Sequence, residues 1–229
     1  MTKRYAYLGP EGTFTEAALR ALAGTEPVDP VPCATIQAAL AAVRTGVADR
    51  AVVPIESSVE GVVTATLDDL SAGGDLLIRA ELPLPIAFAL LGRPGTRLSD
   101  VRTVGGHPQA QPQCRHWLAE HLPQAEWVPA ASNAEAARQS AEGKIDAALA
   151  GAFAAARYGL DVLAPDIGDR KNAVTRFVVA GPPAPLPAPT GADRTTLAAF
   201  LTTNHAGALS EILTEFVVRG VNLTTIQSR

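Results

Sequence analysis

Five prolines fall within thirteen residues, Gly181 to Asp193 (GPPAPLPAPTGAD), and this run dictates how the chain divides. Proline removes a backbone donor and fixes φ, so such a stretch builds neither a helix interior nor a central strand. It reads as a stiff extended linker over 181–193. A domain of residues 1–180 precedes it and a short segment, 194–229, follows. No internal repeat is evident.

Before the linker, apolar or β-branched runs alternate with Ala-rich stretches. Tyr5–Leu8, Ala51–Ile55, Val101–Val104 and Val174–Ala180 read as strands. Thr13-Phe14-Thr15-Glu16 and Ser132-Asn133-Ala134-Glu135 are capping boxes, in which the hydroxyl caps an orphan N–H and the carboxylate reaches back. Gly46, Gly143 and Gly159 stand where a glycine stops the preceding helix. The alternation predicts an α/β fold with mostly parallel sheets. Leu76–Glu81 and Pro85–Leu91, with Pro83 and Pro85 between them, interrupt the pattern and read as a passage from one lobe to another. After the linker, Thr196–Thr203 reads as a strand. A helix over 206–219 then sets Leu209, Ile212, Leu213, Phe216 and Val217 on one face. Gly220 ends it and Val221–Ile226 starts a second strand, so 194–229 reads as a βαβ start, part of a domain.

With 47% hydrophobic and 18% charged residues, the composition is that of a folded globular protein. The net charge is −4 and the basic residues are scattered, which argues against nucleic acid as a partner. No run approaches the ~18 apolar residues of a membrane helix, and MTKRYAYLGPEG turns to Gly and Pro before a leader's apolar core could form. Cys33 and Cys114 form no CxxC pair and read as reduced thiols of a cytoplasmic protein. His107, His116, His121 and His205 fall into no metal-ligand spacing, so no metal is expected.

Three turns from strand to helix carry the candidate chemistry: Gly9–Thr13, Pro54–Gly61 and Gly105–Gln109. Free N–H groups and the positive end of the helix dipole suit an anion there. Such turns lie at the carboxyl ends of strands, where open α/β sheets bind ligands. Any one of them alone is better read as a plain tight turn; three in one domain favour a small anionic ligand. GPEGTF is not GxGxxG and no GxxxxGK[ST] occurs, so nucleotide binding is disfavoured. In AVTRFVVAG, strand alternation sets Thr175 and Phe177 on one face and Arg176 on the other. Arg176 is at this level either an edge charge or an anion-binding group.

YLGPEGTFTEAAL, VPIESSVEG, GGHPQAQPQCRHWL, AALAGAFAAARYGLDVLAPDIGDRKNAVTRF and NHAGALSEIL occur in that order. This set, which covers nearly the whole chain, resembles the prephenate dehydratase family. The resemblance implies a two-lobed fold like a type II periplasmic binding protein. Lobe one would hold about 1–79 and 152–180, lobe two about 80–151, with the active site between them. Residues 194–229 would be an incomplete ACT regulatory domain. The chain departs from the family pattern at Ser57 (usually Asn), Phe88 (usually His), Gly106 (usually Ser) and Ala173 (usually Asn, with Asn172 adjacent).

The resemblance implies conversion of prephenate to phenylpyruvate, CO2 and water in L-phenylalanine biosynthesis, with no cofactor. Arogenate as substrate, or a non-catalytic small-anion sensor on the same fold, are the rival readings. Hydroxide leaving as water needs a hydrogen-bond donor, and Thr175 is assigned to it. An Arg on the ring carboxylate would stabilise the ground state and oppose decarboxylation, so Arg176 is assigned to the pyruvyl carboxylate. Phe177 supports the site. Thr13, Phe14, Glu56, Ser57, Ser58, Gly61, His107, Gln113 and Asn172 are the substrate-binding candidates. Asn204, Gly207, Ala208, Leu209, Ser228 and Arg229 resemble part of the site for L-phenylalanine as effector. A homo-oligomer, dimer or tetramer, is expected. Residues 194–229 are too few to fold alone, so inhibition by phenylalanine and tight association are expected to be mostly lost in this chain.

Overall fold

The computed structural model describes residues 2–73, 75–185, 188–201 and 203–228. Two compact units divide the chain at Ala188/Pro189. The first begins with β1 (Lys3–Leu8), α1 (Phe14–Ala23), β2 (Val28–Cys33), α2 (Ile36–Arg44), β3 (Arg50–Ser57), β4 (Gly61–Val62), α3 (Thr64–Gly73) and β5 (Leu77–Pro85). It continues through β6 (Ala89–Gly92), β7 (Thr103–Gly106), α4 (Arg115–His121), β8 (Glu126–Pro129), α5 (Asn133–Ala141), β9 (Ala147–Ala150), α6 (Phe153–Tyr158) and β10 (Asp161–Ala164). It closes with β11 (Val174–Gly181). The second unit contains α7 (Ala208–Val218).

The strands form two sheets, the α/β arrangement expected, but the sheets are mixed and not mostly parallel: among the described residues β11–β3, β11–β5, β3–β4, β6–β9 and β10–β6 pair antiparallel. The first runs β2-β1-β3-β11-β5, with β4 on β3; the second runs β10-β6-β9-β7-β8. β1 is parallel to β2 and β3, and β11 is antiparallel to both its neighbours. Ala6, Tyr7, Ala51, Val52 and Val53 are fully buried, because helices cover both faces of these central strands. Ala6, Ala51 and Val53 pack with α2, whereas Tyr7 and Val52 pack with Ala18 and Leu19 of α1.

Local sequence accounts for the helix ends. The Thr13 hydroxyl accepts the Glu16 N–H at 3.3 Å, while the Glu16 carboxylate takes the N–H of Gly12 at 2.7 Å, one residue before the cap. Ser132 likewise accepts the Glu135 N–H at 3.0 Å. Here the second half of the box does not close, because Glu135 turns to Arg138 and Gln139. The three stop glycines, Gly46, Gly143 and Gly159, have φ of 74°, 75° and 66°, as a left-handed helix stop requires.

The passage between sheets differs from the expected boundaries. β5 stays in the first sheet to Pro85, because it covers the outer edge of β11 along the whole of Val174–Gly181. The second sheet in turn retains the chain past 152, since β10 pairs antiparallel with β6. The return comes at Val174. The first linker residues remain on the sheet, where Arg79 donates to the carbonyls of Ala184 and Pro185 at 2.9 and 2.6 Å.

In the second unit α7 forms, but the two strands expected around it do not. Thr196–Leu201, Thr203 and Val221–Ile226 carry no strand, and Thr202 lies outside the described residues. Two short strands without a third neighbour bury too little to hold their pairing. Leu209, Val217 and Val218 are consequently exposed.

Candidate active site

β1 and β3 run parallel, so the turns that follow them, Gly9–Thr13 and Ser57–Gly61, emerge at one edge of the sheet. β11 runs the other way, and its first residues therefore begin at that same edge. Thr175 pairs with Ser57 and Arg176 with Glu56, after which the register slips so that Phe177 meets Pro54. Ile55 is the extra residue of this bulge, a device that re-aims side chains at sheet ends. On the other side Thr175, Arg176 and Phe177 meet Leu84, Pro83 and Leu82 without a break. Thr175 and Phe177 thus share a face and Arg176 takes the opposite one, as the alternation requires.

The three residues meet different surroundings. Thr175 is half-buried, and among the described residues its hydroxyl makes no hydrogen bond. Arg176 donates from Nη1 to Glu56 Oε2 at 2.6 Å, and its Nε lies 3.4 Å from Glu81 Oε2. The guanidinium, assigned from the sequence to a substrate carboxylate, thus sits beside two carboxylates of the protein itself. Phe177 is 2% exposed and packs with Tyr7, Leu19, Val52 and Val179. It belongs to the core and does not line the site.

Several expected donors are also committed. Thr13 donates its hydroxyl to the Leu8 carbonyl at 3.1 Å in addition to capping α1. Ser57 Oγ accepts the N–H groups of Val59 and Glu60, each at 3.2 Å, and so ties its own turn. Ser58 Oγ accepts the Val174 N–H at 2.9 Å. Gly61 opens β4 with φ 83°. These hydroxyls build the turns, and the N–H groups of Gly9, Gly12, Ser58, Val59 and Glu60 are likewise bonded within the fold.

From the second sheet, Gln113 reaches back to the first: its Nε2 lies 3.4 Å from Glu60 Oε1 and 3.1 Å from the Gln109 carbonyl. The His107 N–H donates to Asn133 Oδ1 at 2.8 Å, and its Nδ1 accepts from the Gln109 N–H at 3.3 Å. Asn172 is exposed on the turn before Ala173. Phe14, the first residue of α1, stands edge-on to Phe88 and to Phe153, with centroids 5.6 and 5.3 Å apart. Phe88 therefore fills an apolar wall between the lobes. Sequence reading missed Glu60, Glu81, Phe153, Arg157 and Tyr158, whose partners lie far away along the chain and leave no local signal.

Burial pushes the Cys114 thiol up to about 12, with Asp169 adding to the effect, so it is not a nucleophile at neutral pH. Among the described residues no three His, Cys, Asp or Glu side chains gather as metal ligands, and no helix is long and apolar enough to cross a membrane. An open cavity of about 520 Å³ lies on the second lobe, lined by Arg93, Thr96, Asp100, Asp146 and Tyr158 among others. None of the candidate residues lines it. Of the effector-site candidates, Gly207 caps α7, Ala208 is buried, Leu209, Asn204 and Ser228 are exposed, and Arg229 lies outside the described residues.

Comparison with known proteins gives a consistent picture. The family model described as prephenate dehydratase matches residues 5–184. A prephenate dehydratase of Mycolicibacterium vanbaalenii is 52% identical over 237 residues, covering 98% of this chain and 76% of the relative. A prephenate dehydratase from Arthrobacter aurescens, solved in complex with L-Phe, superposes with a TM-score of 0.93 at 48% identity; the match covers 99% of this chain and 75% of that one. GqqA, described as a novel type of quorum quenching acylase, superposes with a TM-score of 0.80 at 29% identity, covering 99% and 81%.

Proposed function

This chain belongs to the prephenate dehydratase family, and from that premise we propose that it converts prephenate to phenylpyruvate, CO2 and water, as a carbon–oxygen lyase. The observation that carries the reading is the half-buried hydroxyl of Thr175, without a hydrogen-bond partner among the described residues, at the edge where the Gly9–Thr13 and Ser57–Gly61 turns emerge.

Prephenate has a ring hydroxyl opposite a ring carboxylate, and a pyruvyl carboxylate beyond. Aromatisation drives the reaction, so the protein has to help the hydroxyl depart and release CO2 from a poorly solvated place. Thr175 donates a hydrogen bond to the leaving hydroxyl. Phe14 and Phe88 supply an apolar wall that keeps water from the ring carboxylate, whose charge disperses as CO2 forms. With Arg176 held by Glu56 and Glu81, the pyruvyl carboxylate is met by the N–H groups at the start of α1. Arg176 then acts as a strut that fixes Thr175 relative to the Ser57–Gly61 turn.

L-phenylalanine as effector of the intact family architecture, with inhibition mostly lost in this chain, a homo-oligomeric assembly and a cytoplasmic location belong to the same proposal. The L-Phe complex of the Arthrobacter aurescens protein supports the first of these. The test is phenylpyruvate formation from prephenate by purified chain, beside arogenate under the same conditions and with L-phenylalanine titrated in. Formation of phenylpyruvate supports the reading. A correctly folded chain that binds prephenate without turnover would mean a sensor, and preference for arogenate would reassign the substrate.

A further inference from the structure

The chain crosses between the two sheets twice, at Pro85–Ala89 and at Ala164–Val174. With only two crossings, the spacing of the two lobes depends also on the non-covalent contacts between them. Three of those contacts come from one short helix. α6 packs on the second lobe, where Ala154, Ala155 and Tyr158 join the cluster of Ala137, Ile145 and Ala150. Its other side grips the Gly9–Thr13 turn of the first lobe.

Three residues of α6 make that grip. The Tyr158 hydroxyl donates to the Glu11 carbonyl at 2.5 Å. Arg157 pairs with the Glu11 carboxylate. Phe153 meets Phe14 edge-on. The turn is shaped to receive them: Gly12 has φ 82°, and a methyl group added there would stand 2.8 Å from the Tyr158 ring. Burial raises the Tyr158 phenol above its ordinary value, which keeps it a donor throughout the neutral range. The gripped turn leads directly into the α1 N-terminus, which faces the proposed substrate carboxylate.

We propose that Tyr158, helped by Arg157, is a positioning residue that latches the two lobes and holds the α1 N-terminus at the separation the substrate needs. It touches no reacting atom and acts through the Glu11–Phe14 turn. This rests on the reading of the interlobe cleft as the prephenate site. Losing the latch lowers the fraction of molecules in the closed form, and KM rises as that fraction falls. Saturating substrate restores closure and kcat is retained.

The experiment compares Tyr158→Phe and Arg157→Gln with the unaltered chain in prephenate kinetics and in hydrogen exchange without substrate. One hydrogen bond of ordinary strength sets the scale, so KM should rise about threefold to tenfold in Tyr158→Phe, with kcat within about twofold. Exchange should quicken in peptides covering 8–17 and 153–160 and stay unchanged over β9 and β11. A merely structural role would instead quicken exchange everywhere and leave KM alone. Unchanged KM, or a fall in kcat without a rise in KM, overturns the proposal. Should the unaltered chain fail to turn over prephenate, the functional reading falls, and the exchange pattern alone decides whether Tyr158 latches the lobes.

Discussion

Ser58 and Val174 are joined by two reciprocal hydrogen bonds: the Ser58 N–H donates to the Val174 carbonyl at 2.8 Å, and the Val174 N–H to Ser58 Oγ at 2.9 Å. Residues 116 positions apart are thereby fixed as one turn. Since Val174 precedes Thr175, the Ser57–Gly61 turn sets where the proposed donor stands.

Ser58→Ala removes one of the two bonds. Water can reach the freed N–H, so stability should fall by only about 1 kcal/mol. The looser β11 start should lower kcat/KM roughly tenfold, because small displacements of a catalytic group cost rate steeply. Thermal denaturation and steady-state kinetics on one preparation check this. A full loss of stability with normal turnover by the folded fraction would make Ser58 purely a fold residue.

Thr175→Val keeps the β-branched shape that suits a strand and removes only the hydroxyl. That hydroxyl has no hydrogen-bond partner among the described residues, so the folded state should lose almost nothing. Removal of a transition-state donor typically costs about 2.7–4 kcal/mol, or roughly 10²–10³ in kcat. KM should change little. Near-normal kcat in folded Thr175→Val would remove the hydroxyl from the chemistry.

The contrast between Thr175 and Arg176 marks how far the sequence was legible. Alternation correctly separates their faces, and the capping box at Thr13 and the stop at Gly159 are local signals that read true. The partners of Arg176 are not local. Glu56 is 120 residues away, and the bulge at Ile55 that sets it beside Arg176 has no sequence signature. Long-range pairing likewise hid the antiparallel β10–β6 contact that keeps the chain on the second sheet. In 194–229 the pattern favours strands, but a pattern forms a strand only where a neighbour completes the ladder.

Arg176→Met leaves Glu56 and Glu81 facing each other in a partly buried place. The cluster is about a quarter exposed at Arg176, so the loss should fall below that of a fully buried pair, at about 1–3 kcal/mol. Adding Glu81→Gln to Arg176→Met should recover part of it by removing one of the repelling charges. Denaturant unfolding of both variants reads the coupling. An Arg176→Met chain of normal stability but greatly raised KM would return Arg176 to a substrate carboxylate.

Tyr7 lies fully buried among Leu19, Val52 and Phe177, and its hydroxyl has no hydrogen-bond partner among the described residues. Burial first, and then the Glu16 carboxylate, push its phenol from 10.0 up to about 12. A raised pKa means that the unfolded chain gives up the proton first. The contribution of Tyr7 to stability is therefore fully present below pH 10 and is lost progressively as the pH rises to about 12. Tyr7→Phe removes both the orphaned hydroxyl and this titration. It should keep or raise stability at pH 7, by up to about 1 kcal/mol, because a buried donor without a partner is itself a cost. Its stability curve between pH 10 and 12 should also fall less steeply than that of the unaltered chain. Urea unfolding at pH 7, 9, 10 and 11 checks both halves. A clear loss of stability at pH 7 would mean that the Tyr7 hydroxyl has a bonding partner in solution, such as a buried water, and that its space is not merely apolar.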